Sequence, residues 1–160
     1  MRKSSKGFSL IELLIVVAII LIIAAIAIPN LLRSRIAANQ ASAVGSLRTL
    51  NTAEITYSST YNVGFSQVMT YLGPPAGGSN PTSTAAGLID SVLALGAKSG
   101  YSFTFSAGPS DSTGRINVYQ FTAVPLSSST GTNYYFTDQS GVIRQNSTTT
   151  ATASDSPIAG

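Results

Sequence analysis

A run of apolar residues near the amino terminus constrains this chain more than any other feature. Leu13–Ile28 is 16 residues long and contains no polar side chain. Together with Phe8–Ile11 it forms a 21-residue segment that carries a single charge, on Glu12. A helix of about 20 apolar residues crosses the hydrocarbon core of a bilayer. The sequence therefore predicts a membrane-spanning helix at the start of the chain.

Glu12 is the unusual residue of this segment. A charged side chain at the centre of a membrane helix costs about 2.5–3.5 kcal/mol, so such residues usually have a function and a partner. The apolar segment contains no basic residue, and Lys6 lies about two helical turns away. A free amine at Phe8 would lie only about one turn from Glu12. Cleavage between Gly7 and Phe8 would therefore create a partner amine, in the same chain or in a neighbouring copy.

At these residues the chain resembles a known family. The stretch KGFSLIELLIVVAII is similar to the amino-terminal signature of type IV prepilins and pseudopilins, with a basic leader ending in Gly7, the aromatic Phe8, the acidic Glu12, the apolar run and Pro29. The resemblance implies cleavage after Gly7 by a prepilin peptidase and N-methylation of Phe8. It also implies that Glu12 neutralises the terminal amine of an adjacent subunit during filament assembly.

The resemblance implies a function and a set of partners. We expect a major pilin, a structural subunit that polymerises into an extracellular type IV pilus, which is a helical homo-oligomer. Its precursor would cross the cytoplasmic membrane once with the head outside. Assembly would need a prepilin peptidase/methyltransferase, a membrane platform protein and a cytoplasmic ATPase. The alternative within the family is a pseudopilin or minor pilin of a type II secretion or competence system.

Two interpretations from another class remain open. Ala25-Ile26-Ala27 has the form of a signal-peptidase site, although the apolar run is longer than the usual 7–15 residues of a signal peptide. Alternatively, the segment could be a simple anchor with Glu12 at the membrane interface. Either would leave a membrane-anchored or secreted binding domain. Three basic residues precede the apolar run and two follow it closely, which slightly favours a cytoplasmic amino terminus.

The composition excludes several kinds of chemistry. The chain has no cysteine and no histidine, so it can form neither disulfides nor the usual zinc and histidine-based catalytic sites. Without residues 1–7 it has six basic and six acidic residues, so its basic pI is no argument for nucleic-acid binding. Asp138 with Ser140 offers one carboxylate, too few for a convincing calcium site. We predict no catalytic residue, cofactor or metal.

The rest of the chain predicts an α+β protein. Residues 1–7 form the leader, residues 8–29 the apolar helix, and residues 30–61 its amphipathic continuation. In a packed filament, the family resemblance implies local unwinding of the helix near Pro29. Residues on one face of the continuation recur at helical spacing and should pack on the head: Ile36, Gln40, Ala43, Leu47, Leu50, Glu54, Tyr57 and Tyr61.

Residues 62–146 should form a globular head. We expect a short helix over Ala85–Leu95, followed by a small antiparallel meander of about four strands. A glycine turn, DQSG, would join the last two strands. The first expected strand begins at Tyr101. The other three span Ile116–Val124, Tyr134–Thr137 and Val142–Asn146.

The end of the chain is of low complexity. Residues 147–160 are rich in Ser and Thr, a composition typical of disorder. Asn146-Ser147-Thr148 fits the N-glycosylation triplet, which is weak evidence on its own.

Overall fold

The computed structural model describes residues 7–158, so leader residues 1–6 and the last two residues lie outside the described part. Internal contacts divide the chain into two units, and the boundary in the sequence lies between Arg35 and Ile36. The helices are α1 (Leu10–Tyr61) and α2 (Ser91–Ala94), with short 3-10 turns at Met69–Leu72 and Ala76–Gly78. The strands are β1 (Ala97–Lys98), β2 (Tyr101–Ala107), β3 (Tyr119–Pro125), β4 (Tyr134–Asp138) and β5 (Arg144–Asn146).

The first unit is the apolar part of α1. Aliphatic residues and alanine fill this stretch, and Pro29 lies inside the helix without ending it. None of the stretch is buried, and it is long and apolar enough to cross a membrane. The predicted amino-terminal helix is therefore confirmed.

The second unit is organised around one face of the later part of α1. The residues of this face follow the predicted spacing of three and four, and Leu47 and Leu50 are completely buried. They pack with the inner face of the sheet, where Tyr101, Tyr119 and Phe121 are also fully buried. Burial of large apolar side chains contributes about 1.5–3 kcal/mol each. The α+β prediction of a helix on a small sheet is confirmed.

The sheet is an antiparallel meander with the order β1-β2-β3-β4-β5. It has five strands, whereas the sequence predicted about four. The additional strand β1 pairs with the start of β2 across Ser99-Gly100, which both have positive φ angles of 50° and 75°. Two such residues make the type I′ turn of tight hairpins. The predicted glycine turn is confirmed, since Gly141 has a φ of 73° and donates to the Asp138 carbonyl.

The predicted helix over Ala85–Leu95 is largely wrong. Only Ser91–Ala94 is helical, with the Asp90 carboxylate capping it at the Leu93 amide. Gly87 has a φ of 67°, which lies in the left-handed region and does not fit a right-handed α-helix. The amides of residues 86–89 donate instead to carbonyls of residues 71–73.

The predicted disorder of the carboxy-terminal segment is also wrong for residues 147–158. Ala151 is buried, with an exposure of 1%. The Gln145 amide donates to the Ser156 carbonyl, and the Ile158 amide donates to the Ile143 carbonyl. Asp155 closes the segment, because its carboxylate accepts from Asn146 Nδ2 and from Thr152. Local polar contacts therefore order a stretch whose composition alone suggests disorder.

Candidate processing and assembly site

The predicted processing residues lie at the beginning of α1. Gly7, Phe8 and Ser9 are not helical, and the helix starts at Leu10. Phe8 is 75% exposed. The predicted cleavage bond, between Gly7 and Phe8, is therefore outside the helix and open to solvent.

Glu12 has a local partner that the sequence reasoning missed. Its Oε2 accepts a hydrogen bond from the Ser9 amide at 2.9 Å, while the Leu13 amide donates to the Ser9 carbonyl at 3.2 Å. This contact is half of a capping box, in which an acid in the first helical turn accepts a hydrogen bond from the backbone amide of the residue that precedes the helix. The spacing Ser-x-x-Glu was the signal that could have indicated it. An acid here also interacts favourably with the positive end of the helix dipole.

Glu12 keeps acceptor capacity for a further partner. Within residues 7–158, Oε1 has no hydrogen bond and the carboxylate takes part in no salt bridge. Pro29 lies 17 residues further along the helix, which is about 25 Å at 1.5 Å per residue. The structure therefore brings Gly7, Phe8 and Glu12 together but does not bring Pro29 to them.

The surface beside Glu12 is apolar and unpartnered in a single chain. Leucine, isoleucine and valine side chains from Leu10 to Leu32 are between 43% and 73% exposed. Soluble monomers rarely expose contiguous apolar patches of more than a few hundred Å². This surface requires lipid or other protein around it.

Arg33 and Arg35 follow the apolar stretch. Both are exposed, and neither has a carboxylate partner among the described residues. They are available to anionic groups outside the chain.

The head contains a buried polar cluster beneath α1. Glu54 is fully buried and its carboxylate accepts two hydrogen bonds from Ser66. Asn51 donates to Thr137 at 2.8 Å and accepts from the Tyr119 hydroxyl at 3.1 Å. Burial raises the pKa of Glu54, since the desolvation outweighs the two hydrogen bonds. The sequence placed Glu54 on the buried face, but it did not reveal the partners of this side chain.

The acidic side chains in the turns of the head accept local hydrogen bonds. Residues 7–158 contain no group of three His, Cys, Asp or Glu side chains that could hold a metal ion. Asp138 accepts from the Ser140 amide, as in an ordinary turn. Asp111 is occupied by four donors, and the Thr113 hydroxyl first among them holds the pKa of Asp111 well below its usual range. In the glycosylation triplet, Asn146 Nδ2 donates to Asp155 and is not free.

Comparison with known proteins gives the family. The model described as "Prokaryotic N-terminal methylation motif" matches residues 2–28. A protein of Pseudomonas aeruginosa named "Fimbrial protein" is 37% identical over an alignment of 112 residues, and the match covers 61% of this chain and 73% of that protein. The chain belongs to the type IV pilin family.

Two further relatives match this pilin over a shorter stretch. "Type IV wide pilus major component PilA4" of Thermus thermophilus is 65% identical over 37 residues, or 23% of this chain. "Type IV major pilin protein PilA" of Myxococcus xanthus is 52% identical over 50 residues, or 31% of this chain. The pilin spans only 28% and 23% of the lengths of these two relatives. No solved structure gives a significant match.

Proposed function

We propose that this pilin is the major subunit of an extracellular type IV pilus. The observation that supports the proposal is the exposed apolar helix, which begins with an available carboxylate one turn from Phe8. A surface of this kind serves first as a membrane span and then as part of the common core of a filament. Two relatives are named as a major pilus component and a major pilin, which agrees with this role.

The proposed mechanism begins in the cytoplasmic membrane. The apolar helix, residues 8–29, holds the precursor there with the head, residues 62–146, outside. A prepilin peptidase removes residues 1–7 and the same enzyme methylates Phe8. The exposed and non-helical Gly7–Phe8 bond is suited to such a cleavage. Residues 30–61 continue the helix into the head.

Charge pairing then directs assembly. The amine of an incoming subunit meets Glu12 of a neighbour inside the apolar core, where each charge alone would be costly. Glu12 can accept this amine at Oε1 while Oε2 keeps the Ser9 amide. A subunit in the wrong axial position would leave both charges unpaired, so the pair selects the register. A platform protein and an ATPase would drive the extrusion of the filament.

The amino-terminal residue of the mature protein tests this proposal. Mass spectrometry of the sheared surface fraction should detect chains that start with N-methyl-Phe8. An intact Met1 in all fractions, or a start just beyond Ala27, would contradict the proposal and leave an anchored or secreted domain. The same peptide in the membrane fraction only, without surface fibres, would instead favour a pseudopilin or minor pilin.

A further inference from the structure

One buried acid of α1 has no place in the assembly mechanism. Glu54 lies on the buried face of α1 and is 0% exposed, as is Ser66. It is the only fully buried charged residue in the described chain. A buried carboxylate is costly unless it is paired or hydrogen-bonded.

Glu54 has hydrogen bonds but no opposite charge. The Ser66 amide donates to Oε2 at 2.8 Å, and the Ser66 hydroxyl donates to Oε1 at 2.6 Å. The only salt bridge of residues 7–158 joins Lys98 and Asp90. The carboxylate is therefore held by dipoles from a single residue.

The titratable groups that face Glu54 are phenols. They are Tyr57 on α1 and Tyr119 on β3, and both interact electrostatically with the carboxylate. Burial raises the pKa of both phenols, so they are uncharged at neutral pH. Residues 62–68 contain no titratable side chain. Arg115 donates to Asn62 Oδ1 at the end of α1.

The chemistry of Ser66 suits both protonation states of Glu54. A hydroxyl can donate or accept, whereas a backbone amide can only donate. The ionised carboxylate accepts both bonds from Ser66. After protonation, the acid can donate to Ser66 Oγ while its other oxygen still accepts from the Ser66 amide. Both states keep two hydrogen bonds, but only the ionised state carries the desolvation cost.

Ser66 belongs to the segment that joins α1 to the 3-10 turn at Met69–Leu72. This segment, residues 62–68, begins with Asn62 in the left-handed region at a φ of 54°. The Phe65 amide donates to the Ile116 carbonyl at 2.8 Å, and the Phe65 and Tyr119 rings pack edge to face with 4.6 Å between ring centres. Release of Ser66 from Glu54 would therefore loosen the contacts of residues 62–68 with the end of α1 and with Ile116, which lies just before β3.

We propose that Glu54 and Ser66 form a protonation-dependent clasp, which fastens residues 62–68 to α1 when Glu54 is neutral and loosens when it is ionised. The clasp belongs to the head, and it is independent of the proposed role in the filament.

A direct titration of Glu54 tests the clasp in the full chain in detergent micelles. The chain has only two glutamates, Glu12 and Glu54, so ¹³Cδ labelling of glutamate gives two NMR signals. The signal lost in Glu54→Gln belongs to Glu54. We expect its titration midpoint to lie above the ordinary value of 4.5. A midpoint at or below that value would overturn the proposal.

Hydrogen exchange at the Ser66 amide tests whether ionisation loosens the segment. Its protection factor should fall by up to about tenfold per pH unit between pH 4.5 and the Glu54 midpoint, then level off. In Glu54→Gln, which mimics the neutral acid, protection should be independent of pH. Asp138→Asn, at an acid outside the clasp, should keep the wild-type profile. A wild-type protection factor that does not change with pH would overturn the proposal, and so would a Glu54→Gln profile like that of the wild type. The wild-type measurement does not require any variant to fold.

Discussion

At the scale of single residues, Glu12 has two partners in the proposed filament: its own Ser9 amide and the amine of a neighbour. Glu12→Ala removes the charge partner from the apolar core. We expect normal membrane insertion but a fall in filament yield of at least about tenfold, because a loss of 1.4 kcal/mol or more is equivalent to this factor. Sheared pilin measured against membrane pilin checks the prediction. Asp138→Asn, which also removes a negative charge, should assemble normally, and full assembly of Glu12→Ala would contradict charge pairing.

Gly7 allows a cleaner test of processing than most sites. A Cβ added at Gly7 would meet no atom of the described residues within 4 Å, so a substitution should leave the described fold undisturbed. Gly7→Leu should therefore keep the chain in the membrane at full length if the peptidase accepts only a small side chain there. Gly7→Ala is the matched control and should still be cleaved. Immunoblots of membrane fractions distinguish the two lengths, and a mature chain from Gly7→Leu would count against the assigned bond.

At the scale of elements, the stability of the head depends on the buried face of α1. Leu50 is completely buried, whereas Ile55 on the same helix is 61% exposed. Leu50→Ala should lower the free energy of unfolding by about 2–5 kcal/mol. Ile55→Ala removes a side chain of the same size and should change it by no more than about 0.5 kcal/mol. Urea unfolding in detergent measures both, and equal effects would mean that α1 does not pack as described.

Elements with a strong periodic pattern could be predicted from the sequence. Segments whose structure depends on hydrogen bonds to other parts of the chain could not. The buried face of α1 repeats over several turns, so Leu47 and Leu50 were identified correctly. Residues 86–89 look helical, but their amides bond to residues 71–73, a pairing that no local pattern encodes. The order of residues 147–158 depends on backbone bonds to residues 143 and 145, on the burial of Ala151 and on the carboxylate of Asp155. The capping contact of Glu12 is encoded locally, in the spacing Ser-x-x-Glu.

At the scale of the whole molecule, stability should depend on pH in two opposite ways, one due to three aspartates and the other due to Glu54. Hydrogen bonds lower the pKa of Asp90, Asp111 and Asp155, so their contribution is present above the ordinary pKa of 3.8 and is lost as the pH falls below it. The pKa of Glu54 is raised in the folded state. Its contribution to stability is therefore present below pH 4.5 and is lost as the pH rises through the pKa of the folded state. The urea midpoint of unfolding should therefore peak in mildly acidic solution. In Glu54→Gln the decline above pH 4.5 should disappear, and a wild-type midpoint that rises steadily to pH 7 would contradict this assignment.

The division of the chain into two units leads to a further prediction. Every buried residue of the described chain lies at Ala43 or beyond, and the exposed apolar stretch lies entirely before Arg33. A chain that starts at Ile36 therefore keeps the whole core and loses the surface that requires lipid or neighbours. We expect it to be soluble without detergent, monomeric in size-exclusion chromatography, and cooperative in thermal unfolding followed by circular dichroism. The same chain carrying Leu50→Ala should remain soluble but melt at a lower temperature. Aggregation of the chain that starts at Ile36, or a gradual melt, would show that the apolar helix contributes to the folding of the head.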